Sequence, residues 1–197
     1  ILYTPLNISE IINAKLVGES NFSAQHLLID SRQLTEPSHS IFIALKSERN
    51  DGHQYISGLI QKGVKIFIVS HIPESCIELQ NKVCFLIVQD TLKALQKLAT
   101  YHREQFQLPV IGITGSNGKT IVKEWLYQLL KSDYNIARSP KSYNSQVGVP
   151  LSVWQINNKH TLGIFEAGIS EVGEMNLLRE IIKPTIGVFT SLGSAHD

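Results

Sequence analysis

The residues whose types and spacing best suit chemistry stand in one short stretch, GITGSNGKT, from Gly112 to Thr120. Glycines at positions 115 and 118 allow backbone N–H groups to turn inward around an anion, and the start of a following helix adds its dipole. Lys119 can then reach the β- and γ-phosphates of a nucleotide, and the hydroxyl of Thr120 can ligate Mg²⁺. The stretch therefore predicts a phosphate-binding loop for ATP with Mg²⁺.

This stretch departs from the common phosphate-loop pattern by one residue. The pattern G-x-x-x-x-G-K-[S/T] requires glycine at position 113, where this chain has Ile113, and Gly112 lies one position too early. The alternative interpretation is a turn between a strand and a helix that carries an incidental lysine. The order of apolar strand, glycine loop and amphipathic helix favours phosphate binding over that alternative.

Two more polar side chains are expected at the same edge of the sheet. Glu166 ends the apolar run HTLGIFEAG, and His196 follows the run VFTSL. Because parallel strands end at a common edge, Glu166 is predicted to hold Mg²⁺ together with Thr120, and His196 to face the same place. The alternatives are a solvated strand end for Glu166 and an ordinary surface or core histidine for His196.

The elements that must position these residues alternate between strands and helices. The predicted strands are HLLID, SIFIAL, VKIFIVS, VCFLIVQ, PVIGIT, HTLGIFEAG and TIGVFTSL. The predicted helices cover residues 6–16, 53–63, 91–106, 119–131 and 173–182, and a long polar loop is predicted before HTLGIFEAG.

This alternation predicts an α/β fold with a parallel sheet in each half. Pro109 breaks the last helical pattern of the first half, so we place a domain boundary beside it. The prediction is a small N-terminal α/β domain over residues 1–106 and the first part of a P-loop parallel-sheet ATPase domain over residues 107–197.

The composition excludes several other classes of protein. The chain of 197 residues is 43% hydrophobic and 18% charged, with a formal net charge of +1, so no basic surplus indicates nucleic acid. No apolar run approaches the roughly 20 residues that span a bilayer. Cys76 and Cys84 lie in apolar surroundings without metal or redox spacing, which favours reduced thiols in a cytoplasmic protein.

Together these motifs resemble the Mur ligase family, the ATP-dependent amide ligases of peptidoglycan synthesis. The phosphate loop of that family reads TGxNGKT, and TGSNGKT has the same glycine spacing, which accounts for Ile113. DSRQL and SIFIALKSERNDGH resemble the N-terminal domain that binds the UDP-sugar end of the substrate, while FEAGISEVGEM and SLGSAH resemble two metal-carrying strand ends. The resemblance covers nearly the whole chain in order.

Within the family, the chain is most similar to the ligases that add D-alanyl-D-alanine to UDP-N-acetylmuramoyl-tripeptide. Asn144 with the segment GVP at 148–150, and the segment GSAH at 193–196, carry this similarity. A Mur ligase that adds a single amino acid is one alternative, and another P-loop enzyme such as a kinase is a second. A non-catalytic nucleotide-binding relative is a third, supported by Ser145 and Ser191, where family members often have asparagine.

The resemblance also implies a role for each candidate residue. ATP would be bound by Thr114, Gly115, Ser116, Asn117, Gly118, Lys119 and Thr120, and metal by Thr120, Glu166 and His196. The implied catalytic residues are Lys119, Asn144 and His196, with Asn144 near the γ-phosphate and the reacting carboxylate. The candidates for the UDP end are Ser31, Arg32, Lys46 and His53, each with a fold-stabilising role as its alternative.

The resemblance implies that the sequence is a piece of a longer protein. Family members have a carbamylated lysine downstream of the His196 position, then a C-terminal domain that binds adenine and the incoming amino acid. We therefore expect this chain to bind a UDP ligand weakly without ligating. We also expect the incomplete central sheet to expose apolar surface and to favour self-association.

Overall fold

A computed structural model describes residues 1–168, 173–191 and 193, and it divides the chain by its contacts into two units. The strands are β1 (Lys15–Gly18), β2 (His26–Leu28), β3 (Ser40–Ile43), β4 (Ile66–Val69), β5 (Cys84–Ile87), β6 (Val110–Thr114), β7 (Ile136–Arg138), β8 (Leu162–Glu166) and β9 (Ile186–Phe189). The α-helices are α1 (Pro5–Ile12), α2 (Ile56–Gln61), α3 (Thr91–Glu104), α4 (Lys119–Leu130), α5 (Gly148–Val153) and α6 (Glu174–Ile182).

The first unit, Ile1–Leu98, is built on a five-stranded sheet in the order β1-β5-β4-β3-β2. Strands β2 to β5 run parallel, as predicted, and every residue of β3 and β4 is buried. Such apolar runs are typical of parallel strands that are covered on both faces. The second unit begins at Ala99, so the division falls within α3, whereas the sequence places the domain boundary after residue 106.

The helix predicted over residues 6–16 is wrong in its second half. Helix α1 ends at Ile12, Asn13 takes a left-handed conformation at φ 55°, and Lys15–Gly18 forms β1 antiparallel to β5. The first sheet is therefore mixed rather than wholly parallel. Asparagine tolerates the left-handed region, and this conformation ends the helix. Strand β1 is stabilised by pairing with a strand about 70 residues later, so its own short sequence has no period that would identify it as a strand.

Both cysteines belong to the core of this first unit. Cys76 and Cys84 are free and buried, as predicted for structural thiols. Burial raises the pKa of the Cys84 thiol to about 12, so it stays protonated at neutral pH. The sulfur of Cys84 therefore acts as a small apolar group in β5 rather than as a nucleophile.

The second unit is built on a four-stranded sheet in the order β7-β8-β6-β9, and all of its pairs are parallel. Two of its elements, β7 and α5, lie within the predicted long polar loop. Strand β7 has three residues, of which only Ala137 is buried, and α5 has six residues and contains Pro150. Elements this short carry too little periodicity to be recognised in the sequence, and their partners in the fold stabilise them.

Apolar side chains cover both faces of this second sheet. One cluster packs Val110 and Phe165 against Val149 and Val153 of α5 and against α6. On the other face, Ile111, Ile113, Leu162 and Ile164 pack against α4 through Val122, Leu126 and Leu130. Because β6, β8 and β9 are parallel, their carboxyl ends lie at one edge, where the phosphate loop begins. Within the described part of the chain, no helix is both long and apolar enough to cross a bilayer.

Candidate functional site

The predicted phosphate loop connects the end of β6 to the start of α4. Gly115 has φ +134° and Gly118 has φ +82°, which are backbone conformations that residues with a Cβ rarely adopt. A methyl group at position 115 would also lie 2.3 Å from Oγ1 of Thr190. The two glycines are therefore required by the shape of the loop, which places Lys119 at the first turn of a helix.

In this structure several polar groups of the loop are hydrogen-bonded either to Ser191 or within the loop itself. The amide of Ser116 donates to the carbonyl of Ser191 at 3.0 Å, and the amide of Asn117 donates to the Ser191 hydroxyl at 3.2 Å. Lys119 Nζ donates to the Gly115 carbonyl at 2.6 Å. A nucleotide phosphate in the loop would have to replace these partners, since each N–H donates one strong hydrogen bond.

Thr114, the first of the predicted ATP-binding residues, is buried at the end of β6. Its hydroxyl donates to the carbonyl of Ala167 at 3.0 Å, and its own carbonyl accepts from the Thr190 amide at 3.0 Å. These contacts join the ends of the three neighbouring strands β8, β6 and β9. The side chain of Thr114 thus has a structural contact that the sequence did not indicate.

Thr120 and Glu166, which are 46 positions apart, lie together as predicted. The Thr120 hydroxyl donates to Glu166 Oε2 at 3.0 Å, and the Glu166 side chain is fully buried. The contact follows from the parallel pairing of β6 with β8, which brings Glu166 opposite Ile113 just before the loop. A hydroxyl and a carboxylate beside a phosphate loop are suitable groups for Mg²⁺.

The fit of this pair to Mg²⁺ can be judged from the hydrogen bonds of Glu166. Its Oε1 atom is buried, accepts no hydrogen bond within the described residues and lies at ion-pair distance from the ammonium of Lys123, so Oε2, beside the Thr120 hydroxyl, is the oxygen that can serve a metal ion. The described residues contain no group of three His, Cys, Asp or Glu side chains that would form a larger metal site. His196, the third predicted metal ligand and a predicted catalytic residue, lies outside the described residues.

Lys123 is a charged residue of this site that the sequence analysis missed. Its side chain is fully buried, and Nζ lies 2.9 Å from Glu166 Oε1, at ion-pair distance but without the angle of a hydrogen bond. Lys123 is three residues after Thr120 and so shares a face of α4 with it. A lysine three residues after Thr120, in the part of the helix that carries the core residues Val122 and Leu126, is the sequence signal that could have identified Lys123 as part of the site.

Asn144 lies beside the strand end that carries Glu166. Its backbone carbonyl accepts from the Gly168 amide at 2.8 Å, and its side-chain oxygen would be 3.0 Å from a Cβ at position 168. Gly168 follows Glu166 by two residues, so Asn144 and Glu166 belong to the same edge of the sheet. The structure therefore brings together Lys119, Thr120, Asn144 and Glu166, all of which the sequence analysis selected.

The four candidates for the UDP end all follow strands of the first sheet. Ser31 and Arg32 come after β2, and Lys46 and His53 come after β3. The Arg32 guanidinium is exposed and bonds to the Asp30 carboxylate at 2.7 Å, which lowers the pKa of Asp30 to about 2. The solvent side of the exposed Arg32 guanidinium is accessible and could bind an anion.

His53 is buried, and both of its ring nitrogens have partners within the first unit. Nε2 accepts from the amide of Ser70 at 3.0 Å, so the proton is on Nδ1, which donates to Asp51 at 2.6 Å. The amide and the ring of His53 hold the pKa of Asp51 below its usual range. Asp51 also pairs with Lys46 through an isolated β-bridge. His53 therefore shapes the loop that carries Lys46.

A cavity of about 510 Å³ opens at the ends of β4 and β5 in the first unit. Its lining includes Ser70, Gln89, Lys15, Lys93 and Lys97, and it includes none of the four candidates for the UDP end. The volume is in the range of small-molecule sites, but the lysines are at the surface of the protein. The predicted substrate residues and this cavity are thus separate features of the first unit.

Family models match both halves of the chain. The model described as "Mur ligase family, catalytic domain" matches residues 24–103, and the model described as "Mur ligase middle domain" matches residues 113–197. The chain belongs to the Mur ligase family. The two matched ranges lie on either side of residue 106, and the second contains the phosphate loop from Ile113 onward, Asn144 and Glu166.

Two curated relatives from different bacteria carry the same name, UDP-N-acetylmuramoyl-tripeptide--D-alanyl-D-alanine ligase. The protein of that name from Borreliella burgdorferi is 38% identical over 174 residues, covering 85% of this chain and 38% of the relative. The one from Bacillus subtilis is 32% identical over 199 residues, covering 98% of this chain and 42% of the relative. The chain thus spans about two-fifths of the length of the curated relatives it matches.

Solved Mur ligase structures have the same fold. MurF from Acinetobacter baumannii superposes with a TM-score of 0.89 at 28% identity, over 100% of this chain and 42% of that one. MurF ligase from Thermotoga maritima, solved in complex with ADP, superposes with a TM-score of 0.76 at 29% identity, over 88% of this chain and 39% of that one. The α/β fold predicted from the sequence is therefore confirmed.

Proposed function

We propose that the full-length protein carrying this sequence is an ATP-dependent ligase that joins D-alanyl-D-alanine to UDP-N-acetylmuramoyl-tripeptide. The observation that carries the proposal is the Thr120–Glu166 pair beside the phosphate loop, in a chain whose named relatives are ligases of this kind. ATP and a UDP-linked precursor are cytoplasmic substrates, so we place the reaction in the bacterial cytoplasm.

The reaction has two steps. The terminal carboxylate of the tripeptide attacks the γ-phosphorus of ATP, which forms an acyl phosphate and releases ADP. The amine of D-alanyl-D-alanine then attacks the acyl carbon, the acyl C–O bond to phosphate breaks, inorganic phosphate leaves, and the nitrogen loses a proton to give the amide. Both steps require charge neutralisation around the phosphoryl group and an aligned carboxylate.

The residues of the second unit suit these requirements. Lys119, which bonds to a carbonyl of its own loop, would exchange its contact with Gly115 for the γ-phosphate. Thr120 and Glu166 would hold Mg²⁺, which when bound neutralises charge on the phosphate oxygens. Asn144 would donate its side-chain amide to the reacting carboxylate. In the first unit, Arg32 and Lys46 would provide positive charge for the UDP end.

The proposal is tested with the purified full-length protein by measuring phosphate release. Release should require ATP, the UDP-linked tripeptide and D-alanyl-D-alanine together. Lys119→Ala should lower kcat/KM by about 10³-fold, because a preorganised cation at the transferred phosphoryl group is lost. Lys131→Ala is the matched control, since Lys131 is exposed at the end of the same helix and should leave turnover unchanged.

Other outcomes would contradict the proposal. Release supported by a single amino acid and not by the dipeptide would assign the protein to another branch of the family. Unchanged turnover of Lys119→Ala would exclude phosphoryl transfer at this loop. Thermal stabilisation by the UDP-linked tripeptide without any phosphate release would favour a non-catalytic relative.

A further inference from the structure

Lys123 is the one charged residue of α4 whose side chain is fully buried among the described residues, and its surroundings are made of oxygen atoms. Nζ lies 2.9 Å from Glu166 Oε1 and 2.9 Å from the carbonyl of Ser139, and it also bonds to the carbonyl of Lys141. A fourth oxygen, Oε1 of Glu124, lies 3.4 Å away, but Glu124 is partly exposed and pairs with Arg138. The ammonium is therefore fixed in place from several directions.

These contacts join three segments of the site. The Ser139 amide donates to the Ile164 carbonyl, and the Ser139 hydroxyl accepts from the Glu166 amide at 3.1 Å. The segment that begins at Ser139 therefore lies alongside β8. Lys141 takes a left-handed conformation at φ 51°, which is costly for a lysine and turns its carbonyl toward Lys123. Asn144 follows three residues later. One ammonium thus connects α4, the start of the Asn144 segment and the Glu166 carboxylate.

Lys123 and Thr120 contact different oxygens of the same carboxylate. Thr120 donates to Oε2, and Lys123 neutralises Oε1. A buried carboxylate needs an opposite charge close by, and after removal of that partner it is left uncompensated. The arrangement also means that a cation near Thr120 meets one oxygen of Glu166 while the other is held by the ammonium.

We propose that Lys123 is a positioning residue of this site, which holds Oε1 of Glu166 so that only Oε2 faces Thr120 and the metal. It acts on the metal through Glu166 and on the reacting carboxylate through the Ser139–Lys141 backbone that leads to Asn144. The inference rests on the proposed function only for turnover; the effect on metal and nucleotide binding is independent of ligation.

The test is Lys123→Met in the full-length protein, with Lys131→Met as the matched control on the same helix. ADP affinity is measured by calorimetry with Mn²⁺ and again with EDTA, and the ratio of the two affinities gives the contribution of the metal. Removing the competing ammonium should raise that ratio by about 3- to 10-fold. Turnover should fall by about 10- to 100-fold, as for other residues that orient metal ligands. Lys131→Met should change neither.

If Lys123 had a purely structural role, Lys123→Met would only reduce the fraction of folded protein. The number of ADP-binding sites would then fall, and the ratio of the ADP affinities with Mn²⁺ and with EDTA would not change. An unchanged or lower ratio in folded Lys123→Met protein would overturn the proposal. If the wild-type protein shows no dipeptide-dependent phosphate release, the proposed ligase function fails, and the ADP measurements still decide the role of Lys123.

A second variant covers the case in which Lys123→Met does not fold. The double variant Lys123→Met/Glu166→Gln removes both buried charges, so it should fold and recover most of the thermal stability lost in the single variant. Its ADP affinity should no longer respond to Mn²⁺. A double variant that is as unstable as Lys123→Met would mean that the ammonium acts on the backbone alone, which would overturn the proposal.

Discussion

The Thr114 hydroxyl ends strand β6 by donating its hydrogen bond to the carbonyl of Ala167, 53 residues away, at 3.0 Å. The residue is part of the phosphate motif by sequence, and yet its side chain is buried and bonded within the sheet. Such a bond holds the ends of β6 and β8 side by side, which is where the loop and Glu166 must meet. At the scale of single residues, a motif therefore includes positions that support the loop as well as positions that suit the ligand.

Thr114→Val tests this distinction at the residue scale. Valine keeps the shape and removes the hydroxyl, which leaves the buried carbonyl of Ala167 without this donor, so the free energy of unfolding should fall by about 1–2 kcal/mol. Urea unfolding measures that change. The affinity for ADP should stay within about threefold of wild type, whereas Thr120→Val should weaken its Mg²⁺ dependence. A large loss of ADP affinity in folded Thr114→Val protein would contradict this expectation and would mean that the Thr114 hydroxyl contributes to nucleotide binding.

At the scale of elements, the end of helix α3 is fixed within the second unit by two buried polar side chains. His102 Nε2 donates to the carbonyl of Ile156 at 2.9 Å, and the His102 ring stacks on Trp154 at 4.3 Å. Arg103 donates to the carbonyl of Ile182 at 2.9 Å, at the end of α6. The end of the helix is thus hydrogen-bonded to the segment after α5 and to the end of α6, both of which contribute to the core of the second unit.

Because His102 is buried, its pKa is lowered to about 4 from the ordinary value of 6.5. As pH falls from about 6.5 to 4, the unfolded chain binds a proton at His102 that the folded protein does not, so the contribution of His102 to stability decreases over that interval and changes little below it. The contribution of His102 is about 3 kcal/mol, from a pKa lowered by roughly 2.5.

Urea unfolding of wild type and His102→Leu at several pH values measures this effect. The variant should be less stable at neutral pH, since it lacks the bond to Ile156, but its stability should depend less on pH between 6.5 and 4. His26→Leu is a suitable control, because His26 is a partly exposed histidine of the first unit. Equal pH slopes for wild type and His102→Leu would contradict the prediction.

At the scale of the whole molecule, the second unit exposes a large amount of apolar surface. Ile121, Trp125 and Leu129 follow one another at four-residue spacing along α4, and Trp125 is 67% exposed. Phe189 of β9 is 70% exposed, and among the described strands β9 pairs only with β6. Contiguous apolar surface and an unpaired strand edge are both features that promote association.

We therefore expect the 197-residue chain to self-associate at micromolar concentrations, in line with the expectation from the sequence. Sedimentation velocity at several concentrations measures this. Trp125→Lys and Phe189→Lys should each shift the distribution toward monomer, because a lysine interrupts the apolar surface or the strand edge. Leu6→Lys is the control, since Leu6 is an exposed apolar side chain of α1 in the first unit. A chain that remains monomeric throughout would contradict this expectation.

Much of the site could be predicted because its parts depend on local conformational preferences and on one topological rule. The left-handed glycines determine the loop, the apolar runs determine β6 and β8, and parallel pairing then brings Thr120 next to Glu166. None of these steps requires knowledge of side-chain packing. Asn144 was selected in a different way, by the resemblance to the Mur ligase family, and its carbonyl lies beside Gly168.

The sequence by itself thus determined the α/β class, the glycine loop between β6 and α4, and which polar residues lie in that loop. Only the tertiary structure decided that Lys123 is buried against Glu166, that Ser191 bonds to the loop amides, and that β1 and β7 are strands. The physical reason is the long separation along the chain between the residues that make these contacts. A lysine side chain usually lies in solvent, and short strands have little period of their own, so contacts with residues far along the chain decide both.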